Sequence, residues 1–303
     1  EGTPALVHCG PFGNIATGNS SIVADQVAIR TGDFLLTEAG FGADMGAERF
    51  FNIKCRYSGI APDAAVLVAT VRALKAHSGR HRIVAGRPLP EALLAENPDE
   101  VHEGGANLVK QIDNVRAHGV SPVVAVNRFP EDHDADLAAV AEIAAAHGAR
   151  CAVTNHFAEG GAGAAELAEA VAEAAEEPSE FAVLYPDEMG LRDKIRTVAT
   201  RIYGADDAEF SAQANKQIDS YEANGFGNLP VCIAKTHLSL SSDASLKGAP
   251  TGWTLPVREA RASVGAGFIY PICGDMRTMP GLGRTPAAAG IDIDENGEIV
   301  GLS

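Results

Sequence analysis

Between residues 64 and 177, short β-branched apolar runs alternate with stretches of helical period, and this alternation constrains the fold more than any other feature of the 303 residues. "AAVLVATVRAL" (64–74), "VSPVVAVNRFP" (120–130) and "RCAVTNHFAEGG" (150–161) read as strands, the second stopped by Pro130 and the third by a glycine pair. "ANLVKQIDNVRAHG" (106–119) places Leu108, Val109, Ile112 and Val115 on one helical face and ends at Gly119. "DADLAAVAEIAAAHG" (134–148) repeats that pattern, with Asp134 as the expected N-cap and Gly148 as the stop, and "GAAELAEAVAEAAEE" (163–177) is a third amphipathic helix. Strands separated by helices of this length must pair in parallel through crossovers, so an α/β doubly wound sheet is expected. Ligands of such sheets lie beyond the carboxyl ends of the strands. "DFLLTEAG" (33–40) reads as a further buried strand that runs into a glycine loop.

Past Pro178 the texture changes. A helix over 189–204 precedes strand-like "LPVCIAKTHLSLS" (229–241), "FIYPICGD" (268–275) and "GEIVGL" (297–302), which suggests a smaller α+β domain. The chain opens without methionine in an apolar run, as though it were the middle of something longer.

Composition narrows the partners. A formal charge of −16, seven lysines and no basic run longer than "RHR" (80–82) exclude a nucleic-acid surface, which needs clustered cations. No apolar run reaches the roughly 20 residues of a bilayer span. Five scattered cysteines without C-x-x-C speak against a disulfide framework or a zinc ribbon, so a reducing cytoplasm is the expected setting.

Several motifs invite a bland reading. "HSGRH" spaces His77 and His81 like a helical metal pair but lacks the glutamate of H-E-x-x-H. "DIDENGEIVGLS" (292–303) starts like an EF-hand but has Ser303 where calcium needs a bidentate Glu, so an Asn-Gly hairpin explains it better. No metal site is expected. No glycine is followed by lysine, so a phosphate loop of the G-x-x-x-x-G-K-[ST] type is missing. What remains is "TEAGFGADMGAERFF" (37–51), in which freed backbone N–H groups can meet an anion. Phe129 and Phe157, each at a strand end, can either pack in a core or clamp a flat heterocycle.

"TEAGFGADMGAERFFNIKCR", "PDAAVLVATVRALKAH", "PVVAVNRFPED", "AEGGAGAAELA", "LPVCIAKTHLSLSSD" and "VREARASVGAGFIYPICGDMRTMPGL" resemble, in order, the second half of formate–tetrahydrofolate ligase. The resemblance implies a P-loop NTPase-like sheet whose phosphate loop lies outside this chain. It divides the chain into residues 1–60, the end of a nucleotide-binding domain; 61–178, an α/β folate-binding domain; and 179–303, the α+β domain. It implies ATP-dependent ligation of formate to tetrahydrofolate through formyl phosphate, with MgATP and tetrahydrofolate as substrates, K+ or NH4+ as an activating cation, and a homotetramer. By matching motif, Glu38, Gly40, Phe41, Gly42 and Asp44 would border the formyl phosphate. Asn127, Arg128, Phe129 and Phe157 would hold the folate, and Thr278, Pro280, Gly281 and Leu282 would border the nucleotide. Phe157 stands where the family usually has tryptophan. Cys9, Gly13 and Thr17 depart from the family's usual "HGGPFANIAHG", which leaves Thr17 without the acid–base capacity of a histidine. The chain alone is expected to be inactive and to need the phosphate-loop half; a folate-binding or assembly module without ligase activity is the alternative.

Overall fold

The computed structural model describes residues 2–7, 13–84, 87–276, 278 and 284–301. The predicted α/β alternation is present. Strands β1 (Ala64–Ala69), β2 (Ser121–Asn127) and β3 (Arg150–Thr154) form an all-parallel sheet in the order β1-β2-β3. The register aligns Ala69 with Val126 and Asn127 with Thr154, so the carboxyl ends of the strands are level. Strand order follows chain order, and no reversal point occurs within these three strands.

Alternation along β2 explains the layers. Val124 and Val126 join one core with Leu67 and Ala69 of β1, and helices α5 (Ala106–Arg116) and α6 (Asp134–Ala146) bury Leu108, Ile112, Val115, Val140 and Ile143 in it. Val123 and Ala125 point the other way and are also buried. Their cover comes from helix α7 (Ala165–Ala175), which packs against all three strands. On that face Val66 and Val68 of the edge strand remain exposed.

A second core lies between helices α8 (Leu191–Arg201) and α9 (Ala212–Ala223) and a mixed sheet. There β4 (Asp207–Phe210) pairs in parallel with β5 (Thr254–Ser263), and β5 pairs antiparallel with β6 (Phe268–Cys273). The two cores meet along a helical stretch at 46–58 whose middle, Phe50–Cys55, has π geometry. From it Phe51 and Cys55 enter the first core, while Ile53 packs with Cys232 and Phe268 on the side of the second. Asn52 Oδ1 accepts the Leu184 N–H at 2.8 Å, and Arg56 donates to the Tyr185 carbonyl at 2.7 Å.

Several expectations are corrected. Residues 33–40 are not a buried strand: only Ala39 makes a bridge, to Asn19, and Phe34 and Leu36 are exposed. The run 64–74 is a strand only to Ala69, because Thr70 then caps helix α3 (Val71–His77) by accepting the Ala73 N–H. Asp134 opens α6 as its first residue, and the N-cap is His133. Residues 229–241 form no strand, although Val231 and Ala234 bridge in parallel to β6. The C-terminal motif is a hairpin, as expected: Asp292–Ile293 pairs with Ile299–Val300 around Gly297, whose φ is 85°.

One buried ion pair anchors the first core. Lys75 and Asp136, each 1% exposed, meet at 2.7 Å. Asp136 also accepts the Asn97 N–H, and Lys75 donates to the Ala95 carbonyl. Removing one partner of such a pair strands a charge in an apolar medium. Asp136→Ala is therefore expected to lower unfolding free energy by about 3–5 kcal/mol. Urea unfolding checks this, and a loss below about 1 kcal/mol would show that the pair carries little of the fold.

Candidate functional site

The glycine loop sits where the 46–58 helix begins. Gly40 donates its N–H to the Gly18 carbonyl at 3.0 Å, and the Gly42 carbonyl accepts from Met45 and Gly46. Gly46 packs so closely on Gly40 that a Cβ there would overlap its carbonyl oxygen. Between them Phe41 has φ 66°, the only non-glycine with positive φ among the described residues. A bulky side chain in that region is strained, and such strain persists only where surrounding contacts over-determine it. Here the Phe41 ring, 41% exposed, lies 5.7 Å from the Arg49 guanidinium and 6.1 Å from the His237 ring.

Beneath the exposed Phe41 and Gly42 lies a buried charged floor. Asp44 Oδ2 meets Lys235 Nζ at 2.8 Å, and Asp44 Oδ1 accepts from Gln111 Nε2 at 3.0 Å. Lys235, fully buried, also donates to the carbonyls of Ser239 and Thr236. Arg49, equally buried, donates to the carbonyls of Ile233, Asn14 and Ala16. The Thr278 carbonyl in turn accepts the Asn14 N–H at 3.0 Å. Arg49 and Lys235 thus bind three segments, near residues 14–16, 44–49 and 233–239, into one unit, and Asn14 adds Thr278 to it. A side chain added at Gly42 would meet Asp44 Oδ1 at 2.6 Å, so the loop has no room to thicken.

Glu48 is the remaining member of this floor. It is 1% exposed; Asn52 Nδ2 donates to its Oε1 at 2.9 Å, and Oε2 has no protein partner among the described residues. Burial pushes its carboxyl up from 4.5 to about 7, against the pull of Asn52 and Arg49.

The expected site residues divide by position. Gly40, Phe41 and Gly42 form the lip of the loop, Asp44 is tied down below it, and Glu38 is exposed on the approach. Thr278 reaches the loop through Asn14; Pro280, Gly281 and Leu282 lie outside the described residues. Asn127 ends β2, and Arg128 and Phe129 follow it; Arg128 donates its N–H to the Thr154 carbonyl at the end of β3. Phe129 is half-buried, and Phe157, in the turn after β3, is 89% exposed. Sequence reasoning missed Arg49 and Lys235. The signal was present in "GAERFF" and "IAKTH", where charged residues interrupt runs that are otherwise apolar and buried.

Among the described residues no group of three His, Cys, Asp or Glu could hold an ion. His77 accepts from the Gly248 N–H, and His81 faces Glu100 at 2.5 Å. Burial raises the thiols of Cys151 and Cys232 to about 11 and those of Cys55 and Cys273 to about 12, so they stay protonated. No helix among the described residues is long and apolar enough to cross a membrane.

Glu48 makes the loop's support sensitive to pH. The unfolded carboxyl titrates near 4.5 and the folded one near 7, so between these values the native state holds a proton that the unfolded chain has lost. The Glu48 contribution to stability therefore falls as pH rises from about 4.5 to about 7 and is level above, a total of about 3 kcal/mol. Glu48→Gln is expected to remove this fall, gaining on the parent protein steadily across that window. Urea unfolding at pH 5, 6, 7 and 8 tests it; parallel profiles for the two proteins would contradict it.

Comparison with known proteins places the chain. The family model described as formate–tetrahydrofolate ligase matches residues 1–303. A formate–tetrahydrofolate ligase of Saccharopolyspora erythraea is 71% identical over 303 residues, covering 100% of this chain and 54% of the relative. Formate–tetrahydrofolate ligase 3 of Rubrobacter xylanophilus is 64% identical over 311 residues, and a formate–tetrahydrofolate ligase of Cutibacterium acnes 61% over 302; each covers 100% of this chain and 54% of the relative. The chain spans about half the length of these relatives, and on this evidence it belongs to the formate–tetrahydrofolate ligase family.

Proposed function

We propose that this chain forms the folate-binding and loop-bearing part of an enzyme that ligates formate to tetrahydrofolate, using MgATP and passing through formyl phosphate. The family match over all 303 residues carries this reading. Two features of the geometry support it. The glycine loop forms a narrow lip over a floor held by Arg49 and Lys235, which suits close approach to a small anhydride that must be kept from water. Phe129 and Phe157 stand at the carboxyl ends of adjacent parallel strands, and an aromatic ring 89% exposed there is well placed to stack on a pterin.

In this reading Phe41, Gly40 and Gly42 line the anhydride, with Glu38 at its approach and Asp44 fixing the loop from below. Asn127, Arg128, Phe129 and Phe157 form the folate side, and Thr278 to Leu282 borders the nucleotide. The lysine and glycine cradle for the triphosphate comes from a phosphate-loop half, on the same or another polypeptide. A monovalent cation and a homotetrameric assembly belong to the same proposal. A second reading is a folate-binding or assembly module with no ligation of its own.

Without a lysine cradle nothing neutralises charge on the transferred phosphoryl group. The 303-residue chain alone is therefore expected to make no formyltetrahydrofolate from ATP and formate, and to gain that activity when supplied with a phosphate-loop half. Formation of 10-formyltetrahydrofolate measures both. Turnover by the verified chain alone contradicts the division of labour, and failure of the completed protein favours the second reading.

A further inference from the structure

Phe129 carries a cation on its ring. The Arg72 guanidinium carbon lies 3.7 Å from the ring centroid, the separation of two stacked planes, and Arg72 Nη2 donates to Glu131 Oε2 at 3.1 Å. The Arg72 side chain is 23% exposed, and its Nε, fully buried, has no protein acceptor among the described residues. The turn that holds Phe129 is itself closed: the Phe129 N–H donates to Asp132 Oδ2 at 2.8 Å, and the Asp132 N–H donates back to the Phe129 carbonyl at 3.0 Å. Glu131 belongs to this turn, so Arg72 grips both the ring and the turn that carries it.

Arg72 stands in the first turn of α3, directly after β1. A cation is poorly placed at a helix N-terminus, where the exposed N–H groups already carry positive partial charge. A local rule broken in this way calls for a compensating role. Stability alone supplies little, because an exposed ion pair such as Arg72–Glu131 contributes under about 1 kcal/mol. Position supplies more. β1 and β2 are neighbours with level carboxyl ends, so Arg72 approaches Phe129 from the β1 side, while Phe157 follows β3 on the other side of β2. Among the described residues no aromatic ring packs on Phe129.

We propose that Arg72 is a positioning residue for the folate site: stacked on one face of Phe129 and held by Glu131, it fixes the ring so that the opposite face receives the pterin plane. The inference rests on the folate reading above. A cation on one face of a ring draws density from the other. The free face then becomes a better partner for the electron-rich reduced pterin. Glu131 holds the guanidinium over the ring, and no contact between Arg72 and the ligand is required.

Binding of tetrahydrofolate to the 303-residue chain, measured by titration calorimetry beside thermal unfolding, tests the role. Phe129→Ala is expected to weaken binding roughly ten- to hundredfold, as loss of a stacking ring does. Arg72→Gln is expected to weaken it less, about three- to tenfold, within the range of a cation–ring contact. Arg72→Lys, which keeps the charge but not the plane, is expected to recover part of that loss. A tetrahydropterin without the glutamate tail should lose the same factor as tetrahydrofolate in Arg72→Gln. If the loss disappears with the tail-less ligand, Arg72 binds the folate carboxylates directly and the positioning role is wrong. Affinity unchanged in Arg72→Gln while Phe129→Ala weakens it overturns the inference and leaves the folate site standing. No binding by the parent chain, or none lost in Phe129→Ala, overturns the folate reading and the role built on it.

Discussion

The contact between Lys235 and Asp44 is the one on which the rest of the arrangement depends. A fully buried ammonium is costly to desolvate, and it is tolerated only with a close counter-charge and with its remaining protons donated. Asp44 supplies the charge at 2.8 Å, and the Ser239 and Thr236 carbonyls accept the remaining donors. The pair joins a loop next to the parallel sheet to a segment laid along β6 in the second core. Cys232 and Ala234 donate backbone N–H groups to β6, which fixes where Lys235 emerges. Arg49 repeats the device one helical turn later, with three carbonyls from two segments and no carboxylate.

This explains why a strained loop is stable here. Phe41 in the left-handed region costs on the order of 1–3 kcal/mol. The loop cannot relax because Gly46 abuts Gly40 below it and Asp44 is held from both sides, by Gln111 and Lys235. The lip of the site is therefore set by buried charges rather than by its own sequence. Glu48, neutral at low pH in the same floor, makes that support dependent on proton concentration.

The parts of the molecule that were legible in the sequence are those governed by local pattern. β2, β3, α5 and α6 follow from apolar periodicity and glycine stops, because their burial is decided by the nearest crossover. The hairpin near Gly297 follows from turn chemistry. The segments at 33–40 and 229–241 misled for the opposite reason. Both are apolar and extended, but one lies exposed and the other makes only isolated bridges to β6, and neither outcome is written in its composition. Likewise Asp44 looked like a ligand of the loop because acidic residues beside glycines often are; its partner Lys235 stands 191 positions later, and only folding brings them together. Arg72 was hidden inside what read as a continuing strand, and became visible once Thr70 was seen to start a helix.

The Asp44–Lys235 pair locks the two cores around the loop. A double-mutant cycle of Asp44→Ala and Lys235→Met, read by urea unfolding at pH 7, tests it directly. Each single substitution leaves the other charge buried alone, whereas the double substitution leaves neither. The two changes should therefore couple by about 2 kcal/mol or more, with the double variant far less destabilised than the sum of the singles. Additivity within about 0.5 kcal/mol would show that the two charges do not depend on each other, and would contradict the account.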